Sequence, residues 1–95
     1  MDDKAHFRRN PDYIYREVAG EAVLIPTGKA AEFFFGIASL NSTGAFLWKA
    51  LEQACTFGEL RELFAREYEL DEEQSRRDVT EFMETALTHN MVLRC

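Results

Sequence analysis

Ninety-five residues suffice for one domain with a modest hydrophobic core. The 46% hydrophobic and 29% charged content is that of a globular chain, while a formal net charge of −6 argues against nucleic-acid binding, whose affinity rests on lysines and arginines displacing counterions from phosphates. No run approaches the ~18 apolar residues of a membrane span, and Cys55 and Cys95 form neither a disulfide framework nor a metal-ligand spacing, so both read as free thiols.

The opening MDDKAHFRRN is expected to be a flexible tail over residues 1–10, with a single domain over residues 11–95. No apolar segment follows it to make a signal peptide, so a cytoplasmic location is expected. Turn residues crowd the first 40 positions, at Pro11, Gly20, Pro26, Gly28 and Gly36, whereas after Asn41 only Gly44 and Gly58 occur and there is no proline. That asymmetry predicts strands first and helices after, an α+β domain.

YIYREV, from Tyr13 to Val18, and AVLI, residues 22–25, flank a glycine-containing turn and predict a hairpin that Pro26 ends. After the polar loop TGKAAE, the run FFFGIASL over residues 33–40 predicts a third strand. Its alternation puts Phe33, Phe35, Ile37 and Ser39 on one face and Phe34, Gly36, Ala38 and Leu40 on the other, and neither face is polar.

A first helix is predicted from Asn41 or Ser42, both good caps, with Leu47, Trp48, Leu51 and Ala54 at helical spacing. Thr56-Phe57-Gly58-Glu59 spells a capping box for the second, with Cys55 and Leu60 as a staple and an inner face of Leu60, Leu63 and Phe64. The third is predicted to open at Asp71 with Gln74 in the reciprocal position, and Val79, Phe82, Met83, Ala86 and Leu87 form its core stripe. Asn90 suits a left-handed helix end, leaving Met91, Val92 and Leu93 as a terminal strand or tail.

For catalysis the residues offer little. His6 lies in the expected tail, His89 sits where a histidine complements a helix dipole, and Cys55 has no base beside it in the sequence. No phosphate loop, metal-ligand cluster or nucleophile elbow occurs, so neither an enzyme nor a cofactor or metal site is expected. The second and third helices with the terminal strand have the shape of a winged helix-turn-helix, which makes a DNA-binding regulator one alternative. There Arg76 and Arg77 would lie early in the recognition helix, but Asp71, Glu72, Glu73 and Asp78 around them would repel phosphates. The third strand poses a different question, because no lysine, proline or bulge signal blunts its edge between residues 33 and 40. The strand is either covered or used, and pairing with a second copy in a homodimer is a further alternative.

The landmarks VLIP (residues 23–26), LNSTGAFLW (40–48), TFGELRELFAREYEL (56–70) and DVTEFMETALTHNMV (78–92) resemble, in order and spacing, the PqqD-like family of RiPP recognition elements, relatives of the pyrroloquinoline quinone biosynthesis protein D. The last segment is similar to that family's DV-x-x-F-x-x-x-L-x-x-x-G-x-V ending. Two turns depart from the pattern: Glu52, Gln53, Ala54 and Cys55 replace a frequent Asp-Gly, and Asn90 and Met91 stand where the family often has glycine followed by Trp or Leu.

The resemblance implies a winged helix-turn-helix of three N-terminal antiparallel strands and three helices. It also implies a non-catalytic chaperone that binds the leader of a ribosomally made precursor peptide and presents it to a modifying enzyme, frequently a radical SAM enzyme, with no role for nucleic acid or membrane. The leader would add as a strand to the third strand, against the third helix. The peptide-binding residues expected are Phe35, Gly36, Ile37, Ala38, Ser39 and Leu40 on the strand. On the helix the preferred flank is Arg76, Thr80, Met83 and Leu87, with the arginine clamping a leader carboxylate; the other flank is Ser75, Asp78, Phe82 and Thr85.

Overall fold

The computed structural model describes residues 1–33, 36–53 and 55–95, with the side chain of Phe33 left aside. The expectations placed on Phe34, Phe35, Ala54 and the Phe33 side chain lie outside the described residues. The architecture is α+β, with antiparallel strands and, among the described residues, four helices.

The hairpin forms as its pattern predicts. Strands β2 (Tyr13–Val18) and β3 (Glu21–Pro26) pair from Tyr13↔Pro26 to Val18↔Glu21. The two-residue turn holds Ala19 at φ 52° and Gly20 at φ 83°, a conformation that matches the right-handed twist of the strands it joins.

Among the described residues, the predicted third strand covers only the last part of its apolar run. The polar loop turns into a four-residue helix, α1 (Ala30–Phe33), in which paired alanines favour helix and Ala30 is buried. Among the described residues that follow, Ala38–Leu40 forms β4, which pairs with β3 through Ala22↔Leu40, Val23↔Ser39 and Leu24↔Ala38. Within this stretch the predicted alternation holds: Ile37 and Ser39 are exposed, while Ala38 and Leu40 are half-buried.

The three longer helices start where their caps predict. Helix α2 (Ser42–Ala50) is capped by Asn41, whose Oδ1 accepts the Gly44 N–H at 2.8 Å. For α3 (Phe57–Tyr68) both arms of the capping box are made: the Glu59 N–H donates to Thr56 Oγ1 at 3.1 Å, and the Thr56 N–H donates to Glu59 Oε1 at 2.8 Å. In α4 (Glu72–Thr88) only half of the expected reciprocity appears. Asp71 accepts the Gln74 N–H, but the Gln74 side chain donates to Asp78 at 2.9 Å instead of turning back.

Two sequence expectations are corrected here. Leu63, placed on the inner face of α3, is 41% exposed, because Phe57, Leu60 and Phe64 already fill that face. The opening residues, expected as a tail, include a strand. His6–Arg9 forms a strand, β1, at the centre of a second three-stranded sheet, between the two-residue β5 (Cys55–Thr56) and the terminal β6 (Val92–Arg94). Phe7 is fully buried in the core with Trp48, Phe57 and Phe64, and the carbonyls of Asp3 and Ala5 accept the first N–H groups of α3, from Gly58 and Phe57. A helix start has N–H donors with no partner inside the helix, and here the N-terminal segment supplies acceptors for two of them.

Candidate functional site

A groove of about 650 Å³ is bordered by residues of β4, α2 and α4. One lip is Ala38, Ser39 and Leu40 of β4; the other is Asp78, Glu81, Phe82 and Thr85 of α4. The spacing 78, 81, 82, 85 puts four α4 side chains on one stripe of the helix. The floor is apolar, with Leu47, Phe64, Ala86 and Met91 all buried. Gly44, near the start of α2, lines the groove: a Cβ there would stand 3.4 Å from the Phe82 ring and 3.1 Å from Asn41 Oδ1. The absence of a side chain lets α2 approach α4 without filling the groove.

Strand β4 forms one margin of its sheet, whose order is β2-β3-β4, and among the described residues β4 pairs with β3 alone. Its second edge therefore has backbone donors and acceptors without a strand partner. Gly36, at φ 103°, needs the freedom of glycine, and Ile37 beside it is 59% exposed.

The expected strand residues Ala38, Ser39 and Leu40 border the groove; Gly36 and Ile37 lead into the strand, and Phe35 is not among the described residues. The preferred helix flank does not. Met83 is fully buried in the core, Leu87 packs against the core, and neither they nor Thr80 or Arg76 line the groove. Arg76 turns to the N-terminal segment, 3.1 Å from the Asp3 carboxylate and 3.5 Å from Glu72, with its guanidinium 5.7 Å from the Phe57 ring centre. In this arrangement its guanidinium is engaged outside the groove. The flank that faces the groove is the one set second, through Asp78, Phe82 and Thr85, although its fourth member, Ser75, is fully buried and donates to the Glu72 carbonyl. Glu81, Thr43, Gly44 and His89 also border it and were missed, since only the tertiary arrangement brings them together.

Chemistry elsewhere is muted. Cys55 is half-buried, and burial, with smaller contributions from Glu59 and Cys95, pushes its thiol up and away from the reactive thiolate. The backbone carbonyl of His89 accepts from the Tyr13 hydroxyl at 2.9 Å. Among the described residues no helix is long and apolar enough to cross a membrane.

The family model described as Coenzyme PQQ synthesis protein D (PqqD) matches residues 21–92. The chain belongs to the PqqD family. The match runs from the first residue of β3 to the first of β6, so it takes in both lips of the groove while β1 and β2 precede it. Neither the curated proteins nor the solved structures give a significant match. Membership in the PqqD family ties the chain to a biosynthetic role named for coenzyme PQQ.

Proposed function

We propose that this PqqD-family protein is a non-catalytic peptide chaperone, which binds the leader of a ribosomally synthesised precursor and presents it to a separate modifying enzyme. The observation that carries the reading is the groove bordered by α4 and β4, with an apolar floor and, as one lip, a strand that among the described residues has one edge without a strand partner. An extended segment laid there gains backbone hydrogen bonds from β4 and sinks alternate side chains into the floor, which is strand addition. Helices α3 and α4 with β6 then act as a winged helix-turn-helix turned to peptide recognition. The resemblance to RiPP recognition elements points to a radical SAM enzyme as the partner.

Because β4 spans three residues, it offers few strand hydrogen bonds, each worth ~1 kcal/mol net. Micromolar affinity corresponds to about −8 kcal/mol, so apolar anchors in the floor must supply much of it. The DNA-binding reading loses ground for the same geometric reasons: Arg76 and Arg77 are tied to Asp3, Glu72 and Glu73. The unpaired edge of β4 would equally serve a homodimer, which sedimentation detects as a mass that rises with concentration.

The test is an amide NMR titration of the labelled protein with synthetic peptides encoded beside its gene. Shifts at Ala38–Leu40 and along Glu81 to Thr85 are expected. Methylating alternate backbone nitrogens of a binding peptide should abolish binding in one phase and spare it in the other. A folded sample that responds to none of these peptides, or one indifferent to methylation in both phases, would overturn strand addition.

A further inference from the structure

We propose that the segment accepted by this groove carries a lysine or arginine next to its apolar anchor, selected by Asp78 and Glu81. The inference rests on the peptide-binding reading and specifies the class of sequence it takes. Both acids stand on the α4 lip, three residues apart, and Phe82 borders the groove beside them. Among the described residues neither is in an ion pair; Asp78 accepts only the neutral Gln74 amide.

The cations that could have neutralised this lip are spent on other faces. Arg76 pairs with Asp3 and Glu72, and Arg77 with Glu73. Among the described residues no lysine or arginine borders the groove, and the last turn of α4, whose C-cap residue His89 lines the groove, has no lysine or arginine to offset the negative end of the helix dipole. The positive end of α2 also reaches the groove, but Asn41 already occupies it, accepting both the Gly44 N–H and the Thr43 hydroxyl.

A lysine or arginine suits this lip in shape as well as charge. Its aliphatic stem can lie over the Phe82 ring while the head reaches the two carboxylates in water. A glutamate or aspartate at the same place would face the two like charges of Asp78 and Glu81 with no lysine or arginine of the groove to offset them, so the lip disfavours acidic segments as well as attracting basic ones.

The experiment is selection from a displayed library of randomised nine-residue peptides on the wild-type protein and on the Asp78→Asn/Glu81→Gln double variant, each first shown to unfold cooperatively. Wild type should enrich peptides with Lys or Arg at a fixed distance from an apolar residue. For one enriched peptide, the double variant should bind about fivefold more weakly, and replacing the peptide's cation with alanine should remove that difference. Enriched peptides with no basic preference, or an unchanged affinity in the double variant, would overturn the charge selection and leave the groove reading standing. If wild type enriches no peptide, the groove reading fails and this inference falls with it.

Discussion

Ala19 holds a backbone conformation that asparagine or glycine adopts more easily than alanine. At φ 52° its Cβ crowds the following carbonyl, at a cost of ~1 kcal/mol, and only the demand of a two-residue hairpin turn keeps it there. Ala19→Asn should therefore raise stability by about 0.5–1 kcal/mol in urea denaturation, whereas a site with no such strain would give no gain. Gly20 announced the turn in the sequence, but nothing local revealed that Ala19 shares its left-handed geometry. Thr56 and Glu59 are the opposite case, fully legible because a capping box involves only residues three apart. Thr56→Ala should cost about 1 kcal/mol. The hydrogen bonds from the Thr56 backbone and side chain hold the Glu59 carboxyl below its ordinary range. Its contribution to stability is thus present above the unfolded-state value, near pH ~4.3, and is lost as pH falls through the lower folded-state value. Replacing Glu59 with Gln should remove that component, so the stabilities of wild type and variant converge on acidification; parallel curves from pH ~6 to ~3 would show that the carboxylate contributes no pH dependence.

At the level of elements, α4 shows what a helical pattern can and cannot say. Its core stripe was readable, since Val79, Met83 and Ala86 recur at helical spacing and are buried. Which flank faces β4 was not, because periodicity defines a buried face but not the neighbour beside it. Charge was ambiguous as well: Arg76 looked like a clamp, yet it pairs with Glu72 on its own helix and with Asp3, 73 residues away in the N-terminal segment. The run FFFGIASL misled in the same manner, since apolarity alone does not separate three strand residues from the helical end of α1 before them. The two flanks make different predictions for peptide binding. Phe82 is half-buried at the groove lip, and losing its ring removes part of an anchor worth ~1.5–3 kcal/mol when fully covered. Phe82→Ala should weaken a bound peptide about tenfold, equivalent to ~1.4 kcal/mol, while Leu87→Ala, equally half-buried but away from the groove, should leave affinity unchanged. Titration calorimetry on both variants decides between the flanks, and equal losses would count against the geometry described here.

Across the whole molecule, the two sheets divide the work. The β2–β3–β4 sheet presents the edge beside α4, and the β5-β1-β6 sheet ties residues 6–9 to both Cys55–Thr56 and the terminal Val92–Arg94. That closure was invisible in the sequence, because HFRR is a charged run with one aromatic residue and its partners lie about 50 and 85 positions away. Its alternation was there to be read, with His6 and Arg8 outward and Phe7 inward. The consequence is measurable. If residues 1–10 only frayed, Phe7→Ala would change stability by less than about 0.5 kcal/mol. With Phe7 fully buried in the core, the loss of its ring should cost about 3–4 kcal/mol. For a domain with ~5–15 kcal/mol in hand that is a large share. The urea midpoint should fall accordingly with the slope unchanged. A midpoint within error of wild type would return the N-terminus to a tail and remove β1 from the account of how α3 is held, since the carbonyls of Asp3 and Ala5 meet its first N–H groups only while that strand is in place.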